Sequence, residues 1–176
     1  MPSRKRPSPA PPRRPRGASA VERTNRALRM LSDSNQALIR ATDEAELLQQ
    51  ICRIAVERGG YRMAWVGLVG KDPARRVEPV AHAGFEEGYL ATAGQVWGEG
   101  GSTGGPAAEA LATGAVAITH DIPSDPAFGP RRETAKARGY RSAIALPLRD
   151  GEEPPFGVFK IYSTEPGAFD RDEVEI

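Results

Sequence analysis

The sequence predicts an α+β domain in which helices flank a sheet built from two β-hairpins. Three observations carry this reading. Capped helical periodicity fills the first third of the chain, and period-two apolar runs take over after Gly60. The first of these runs is apolar on both faces, Met63, Trp65 and Val69 against Ala64, Val66 and Leu68. A sheet of such strands has to be covered on both sides. At 176 residues with 39% hydrophobic content, the chain matches one domain around one core.

Residues 1–19 form a basic, proline-rich tail. The first twenty residues hold six Lys or Arg (Arg4, Lys5, Arg6, Arg13, Arg14, Arg16), six prolines and no acid. So little apolar surface cannot offset the entropy of ordering, so the tail is expected to be disordered, a solvated leader rather than a specific nucleic-acid arm. It also masks the charge of the remainder, where 18 basic residues face 23 acidic ones, a balance of −5.

From Ala20 to Ala41 a helix is expected, with Val21, Leu28 and Asn35 at one heptad position and Thr24, Leu31 and Leu38 at the other. This is a short dimer-like seam in which a buried Asn35 would set register. The alternative is that the leucines cover the domain's own sheet. The domain core is expected over 42–168. Thr42 or Asp43 caps a second helix, Asp43 and Glu46 having capping-box spacing, and Gly59-Gly60 ends it. Leu47, Ile51 and Ile54 beside Leu48, Cys52 and Ala55 give it a wide buried face, which makes Cys52 a core residue.

Tyr61 to Val69 and Val77 to Ala83 then read as strands joined by the Lys71-Asp72-Pro73 turn. Glu86 to Ala93 is helical in pattern, Gln95-Val96-Trp97 extended, and Gly98 to Gly105 a glycine-rich loop. Pro106 starts a helix that Gly114 stops. Ala115 to His120 is a strand, Asp121 to Pro130 a loop, and Arg131 to Arg138 a polar helix closed by Gly139. Arg141 to Leu148 and Phe156 to Ser163 form a second hairpin across Asp150-Gly151. Residues 169–176 open a last helix at Asp170 and Glu173 that is too short to stand alone, as expected of a truncated element or a fragment.

Composition excludes several classes. No apolar run is long enough to span a bilayer and no secretory signal precedes the fold, so a cytoplasmic protein is expected. The single cysteine forms neither an internal disulfide nor a cysteine-based zinc site. No nucleophile and base pair is recognisable, and no catalytic residue is assigned: an enzyme is not expected.

Several segments, in their order, resemble a bacterial sensory subfamily of the GAF domain. These are Met63-Ala64-Trp65-Val66-Gly67-Leu68, GGPAAEALATG over Gly104 to Gly114, and Asp121-Ile122-Pro123-Ser124-Asp125-Pro126-Ala127-Phe128. Arg138-Gly139-Tyr140-Arg141-Ser142, Ile144 to Leu148 and Gly157 to Tyr162 complete the set, and the likeness covers about residues 20 to 176. The resemblance implies a central antiparallel sheet of five or six strands. Helices lie on both faces, with the terminal relay helices on one side and a small-ligand pocket on the other. It also implies an output domain of the diguanylate cyclase or histidine kinase type, none of whose motifs lies in this chain, with the terminal helices carrying the signal; the heptad seam adds the expectation of a homodimer through those helices.

For the pocket, Trp65 and Trp97, the loop residues Asp121, Asp125 and Phe128, Arg131 and Tyr140 supply aromatic walls and a few charges, the usual makeup of a small-molecule site. His82 and His120 stand isolated, so no metal or cofactor is expected; haem, which some relatives hold through a histidine, is the alternative. A covalent bilin needs a cysteine beside the pocket, and Cys52 is in another element. Phe169, Asp172 and Glu173 only partly match the cyclic-nucleotide motif, since they are one residue too close and the Asn-Lys pair is missing. GAF-type methionine sulfoxide reductases use several cysteines. The 98–105 loop lacks a Walker lysine and reads as a pocket lid. The expected function is therefore a sensor of a small-molecule effector, with a dimerisation scaffold as the alternative.

Overall fold

The computed structural model of the chain describes residues 20–41, 43–71, 76–92, 105–129, 131–151 and 153–169. The basic tail, Thr42, the Asp72-Pro73 turn, the Gln95-Val96-Trp97 segment with most of the glycine-rich loop, and the helix opened by Asp170 lie outside them.

Two helices lead: α1 (Ala20–Arg40) and α2 (Glu44–Glu57). Of the two cap candidates, Asp43 is the one the structure describes, and its Oδ1 accepts the Glu46 N–H at 2.7 Å. At the other end the Arg58 and Gly59 N–H groups both reach the Ile54 carbonyl, and Gly60 takes the left-handed conformation (φ 72°) that turns the chain into the sheet.

The sheet contains β1 (Met63–Val69), β2 (Val77–Gly84), β3 (Ala117–Thr119), β4 (Ser142–Leu148) and β5 (Gly157–Ser163), with α3 (Tyr89–Thr92), α4 (Pro106–Thr113) and α5 (Arg131–Ala137) in the connections. Its order is β2-β1-β5-β4-β3, every pair antiparallel. The two expected hairpins thus join through β1 and β5. Pro79 lies on the edge strand β2, where a missing N–H is tolerated, beside a register shift at Val66/Gly67.

Both faces are covered, as the double-sided apolar pattern requires. On one, Ala64, Val66, Ala81, Ile144 and Ile161 pack with Cys52 and Ala55 of α2, and Met30 of α1 closes the layer. On the other, Met63, Trp65, Val77, Ala117, Ala143, Ala145, Val158 and Tyr162 meet α3, α4, α5 and the turns before α5.

Several elements differ in extent from the sequence reading. Helix α3 begins at Tyr89, not Glu86, because the Glu86 carboxylate caps it, accepting the Gly88 and Leu90 N–H groups at 2.9 and 2.6 Å. Strand β3 shrinks to three residues at the sheet edge. The α1 leucines do not cover the sheet: Leu28, Leu31 and Leu38 are 52%, 51% and 63% exposed, while Ala37 on another face is buried. Asn35, on the same stripe, is also exposed.

Candidate functional site

The site is built on the sheet face opposite α1 and α2. Cross-strand partners project to the same side, so the register sets Trp65 of β1, Lys160 of β5, Ala145 of β4 and Ala117 of β3 in one row. The next row holds Met63, Tyr162, Ala143 and Thr119. The large side chains come from the two central strands, and the alanines leave room for α4, whose Ala107, Ala110 and Leu111 join the same cluster.

Three tyrosines from three elements meet here. Tyr140 and Tyr162 stack with ring centres 4.5 Å apart, and Tyr89 stands edge-on to both at 5.2 and 5.6 Å. The Tyr89 and Tyr162 hydroxyls bond each other at 3.2 Å, and the Tyr140 hydroxyl donates to the Phe85 carbonyl. Burial pushes all three phenols above their ordinary range. Arg138 locks the neighbouring corner, its Nε donating to the Glu86 carbonyl at 3.0 Å, Nη2 to the Glu87 carbonyl and Nη1 to the Thr134 carbonyl at 3.1 Å.

Lys160 stands beside this group and is fully buried. Its Nζ lies 5.1 Å from the centre of the Phe128 ring and 4.9 Å from that of Tyr162, and it has no hydrogen-bond partner. Burial drives its amine well below the ordinary lysine range; the positive charge of Arg131 adds to this and the carboxylate of Asp125 opposes it. The Nε1 of Trp65, the residue directly paired with Lys160, is likewise buried without an acceptor. Two adjacent residues of the central strands therefore end in buried donors with nothing to donate to, an arrangement that proteins rarely leave in a core.

Phe128, Asp125 and Arg131 reach the cluster from a compact turn. Two short 3₁₀ segments, Ile122–Ser124 and Pro126–Phe128, run into α5. Asp125 Oδ1 accepts the Ala127 N–H at 2.9 Å, and Arg132 Nη2 donates to the Asp125 carbonyl at 2.9 Å, which pins the turn to the helix. The guanidinium of Arg131 lies against Gly105 at the head of α4, so close that a Cβ there would be 2.9 Å from Nη2.

Of the residues chosen from sequence, Trp65, Asp125, Phe128, Arg131 and Tyr140 thus gather around one region. Asp121 is engaged elsewhere: its carboxylate accepts from the Ser124 hydroxyl at 2.7 Å and from Arg141 at 3.1 Å, which holds the turn and keeps the acid below its ordinary range. Trp97 lies outside the described residues. His82 and His120 are exposed, and among the described residues no three His, Cys, Asp or Glu side chains gather to hold a metal. Cys52 is buried on the opposite face, its thiol pushed up to about 12 by burial. A groove of about 230 Å³ between α1 and α2 is also on that other side of the sheet.

Lys160, Tyr162 and Tyr89 were not singled out from sequence. The signal was a lysine set between Phe159 and Ile161 in a strand expected to be covered on both faces, where either side of the sheet would bury it.

No curated protein matches the chain in sequence. Its fold is that of several solved structures. The GAF domain of a phosphoenolpyruvate-protein phosphotransferase from Coxiella burnetii superposes with a TM-score of 0.68 at 15% identity, covering 85% of this chain and 84% of that one. A free methionine-R-sulfoxide reductase from Neisseria meningitidis, in complex with its substrate, gives 0.61 at 18%, covering 88% and 81%. The GAF domain of a putative sensor histidine kinase from Pseudomonas syringae gives 0.57 at 18%, covering 88% and 81%. A GAF domain model matches residues 41–176, which hold the whole sheet and every described helix except α1, and the chain belongs to the GAF domain family.

Proposed function

We propose that this GAF domain is a cytoplasmic sensory module that binds a small-molecule effector on the sheet face of Trp65, Phe128, Arg131, Tyr140, Lys160 and Tyr162, and has no catalytic chemistry of its own. The observation that carries this reading is the pair of buried, acceptor-less donors at Trp65 and Lys160. Burying an amine without a partner is costly, and a core that only had to be stable would place an apolar side chain there. Binding would reorganise the 121–129 turn around the ligand. The output, reached through α1, is of the histidine kinase or diguanylate cyclase type; the GAF domain of a putative sensor histidine kinase has the same fold. A ligand drives such a relay only if it binds one arrangement more tightly than the other.

A second reading, a dimerisation scaffold with an unused pocket, is favoured by the exposed leucine stripe of α1. Thermal-shift screening of the chain separates the two, because a specific ligand raises the melting temperature in step with its concentration and a scaffold shows no such response. Under the sensory reading, Arg131→Ala and Trp65→Phe weaken that response.

A further inference from the structure

Among the described residues, Lys160 is the single charged side chain that the sheet buries completely. The neighbours of its amine are an uneven set. Trp65 of β1 offers a second donor, Phe128 and Tyr162 offer ring faces, Ala145 of β4 offers nothing polar, and the hydroxyls of Tyr162 and Tyr89 are turned on each other. Among the described residues, two ionic groups act on its charge: Arg131 from α5 and Asp125 from the turn. Asp125 already accepts the Ala127 N–H. Arg131 meanwhile packs on Gly105, the start of α4, where no side chain caps the helix. Among the described residues, this face thus holds two buried donors without acceptors, Lys160 Nζ and Trp65 Nε1, beside the positive charge of Arg131.

From this imbalance we propose that the effector is a small organic anion, whose carboxylate or phosphate oxygens accept hydrogen bonds from Lys160 Nζ and Trp65 Nε1 and pair with the Arg131 guanidinium. The proposal rests on the sensory reading above and narrows its ligand to one chemical class. An anion supplies the acceptors that these donors lack and offsets the repulsion that a protonated Lys160 meets from Arg131. Charge-assisted bonds formed in so dry a setting are stronger than the same bonds in water. Binding also changes protonation. Burial and Arg131 favour the neutral amine in the free protein, and an adjacent anion favours the ammonium, so binding draws a proton onto Lys160. Affinity therefore falls as pH rises, by up to about tenfold per pH unit for a single linked proton.

The test is calorimetry and thermal shift on the full chain and on Lys160→Met. The probes are short mono- and dicarboxylates, inorganic phosphate and glycerol phosphate, each beside its neutral amide, ester or alcohol. The expected result is that an anion stabilises the wild type and its neutral partner does not. Its affinity should fall as pH rises and drop at least about tenfold in K160M. Unliganded K160M should melt no lower than wild type. If K160M folds poorly, Arg131→Met carries the same expectation, and the pH series on the wild type needs no variant. Equal binding of a neutral partner, or unchanged anion binding by K160M, overturns the anion assignment and leaves the sensory reading standing. No response to any probe, charged or neutral, overturns both.

Discussion

The indole of Trp65 lies over the bare Cα of Gly67, two residues along the same strand: a Cβ at Gly67 would come within 2.4 Å of the Trp65 ring and 2.5 Å of Val77. The strand thus spends a glycine to seat a tryptophan at the centre of the site face. Gly67→Ala forces the ring or the strand to move and should destabilise the fold by about 1–3 kcal/mol, the usual cost of overpacking. Urea unfolding measures it. Trp65→Leu in the same chain should recover part of the loss, since Val77 remains in the way.

Lys160 makes stability depend on pH with a definite sign. Its amine is held well below its ordinary value of 10.5, by burial first and Arg131 second. Between that lowered value and 10.5 the unfolded chain carries a proton on Lys160 and the folded chain does not, so stability rises with pH through this window and is lost as pH falls. Lys160→Met should flatten that slope and stabilise the protein at neutral pH by about 2 kcal/mol, because it removes a buried donor without a partner. A lower melting temperature for K160M at pH 7 would contradict this.

The corner after β2 depends on Arg138, which holds the Glu86 and Glu87 carbonyls and sits 5.6 Å from the Tyr89 ring centre. Arg138→Ala frees both carbonyls and should cost about 2 kcal/mol, since these are charge-assisted bonds in a half-buried setting. Amide hydrogen exchange should localise the loosening to Phe85 through Leu90, with little change in β4.

Helix α1 carries Leu28, Leu31 and Leu38 on an exposed stripe. If this is the dimer seam, Leu31→Gln with Leu38→Gln should yield a monomer by sedimentation without lowering the melting temperature of the sheet domain. Equal sedimentation of wild type and double variant as monomers would remove the seam from the account.

Secondary structure and the two-sided core were legible because they follow from local rules. Asp43 and Glu46 mark a helix start by spacing alone, Gly60 marks its end, and the apolar character of both faces of Met63 to Val69 demands two covering layers. The site was only partly legible. Trp65, Phe128, Arg131 and Tyr140 stood out as aromatic or charged residues near loops, and the structure gathers them. Asp121 looked equivalent to Asp125, yet Ser124, three residues on, and Arg141, twenty residues on, engage it in the turn.

Periodicity and capping act over a few residues, and they were enough to mark α1, α2, β1, β2, α4, α5, β4 and β5, the double burial of the sheet and the place of Cys52 in the core. Tertiary structure decided what register alone can set: β5 beside β1, Trp65 opposite Lys160, and both donors turned into the same dry face. Sequence marks Lys160 for burial on either side of the sheet, but only the pairing shows which side it points to and how little there is for it to bond.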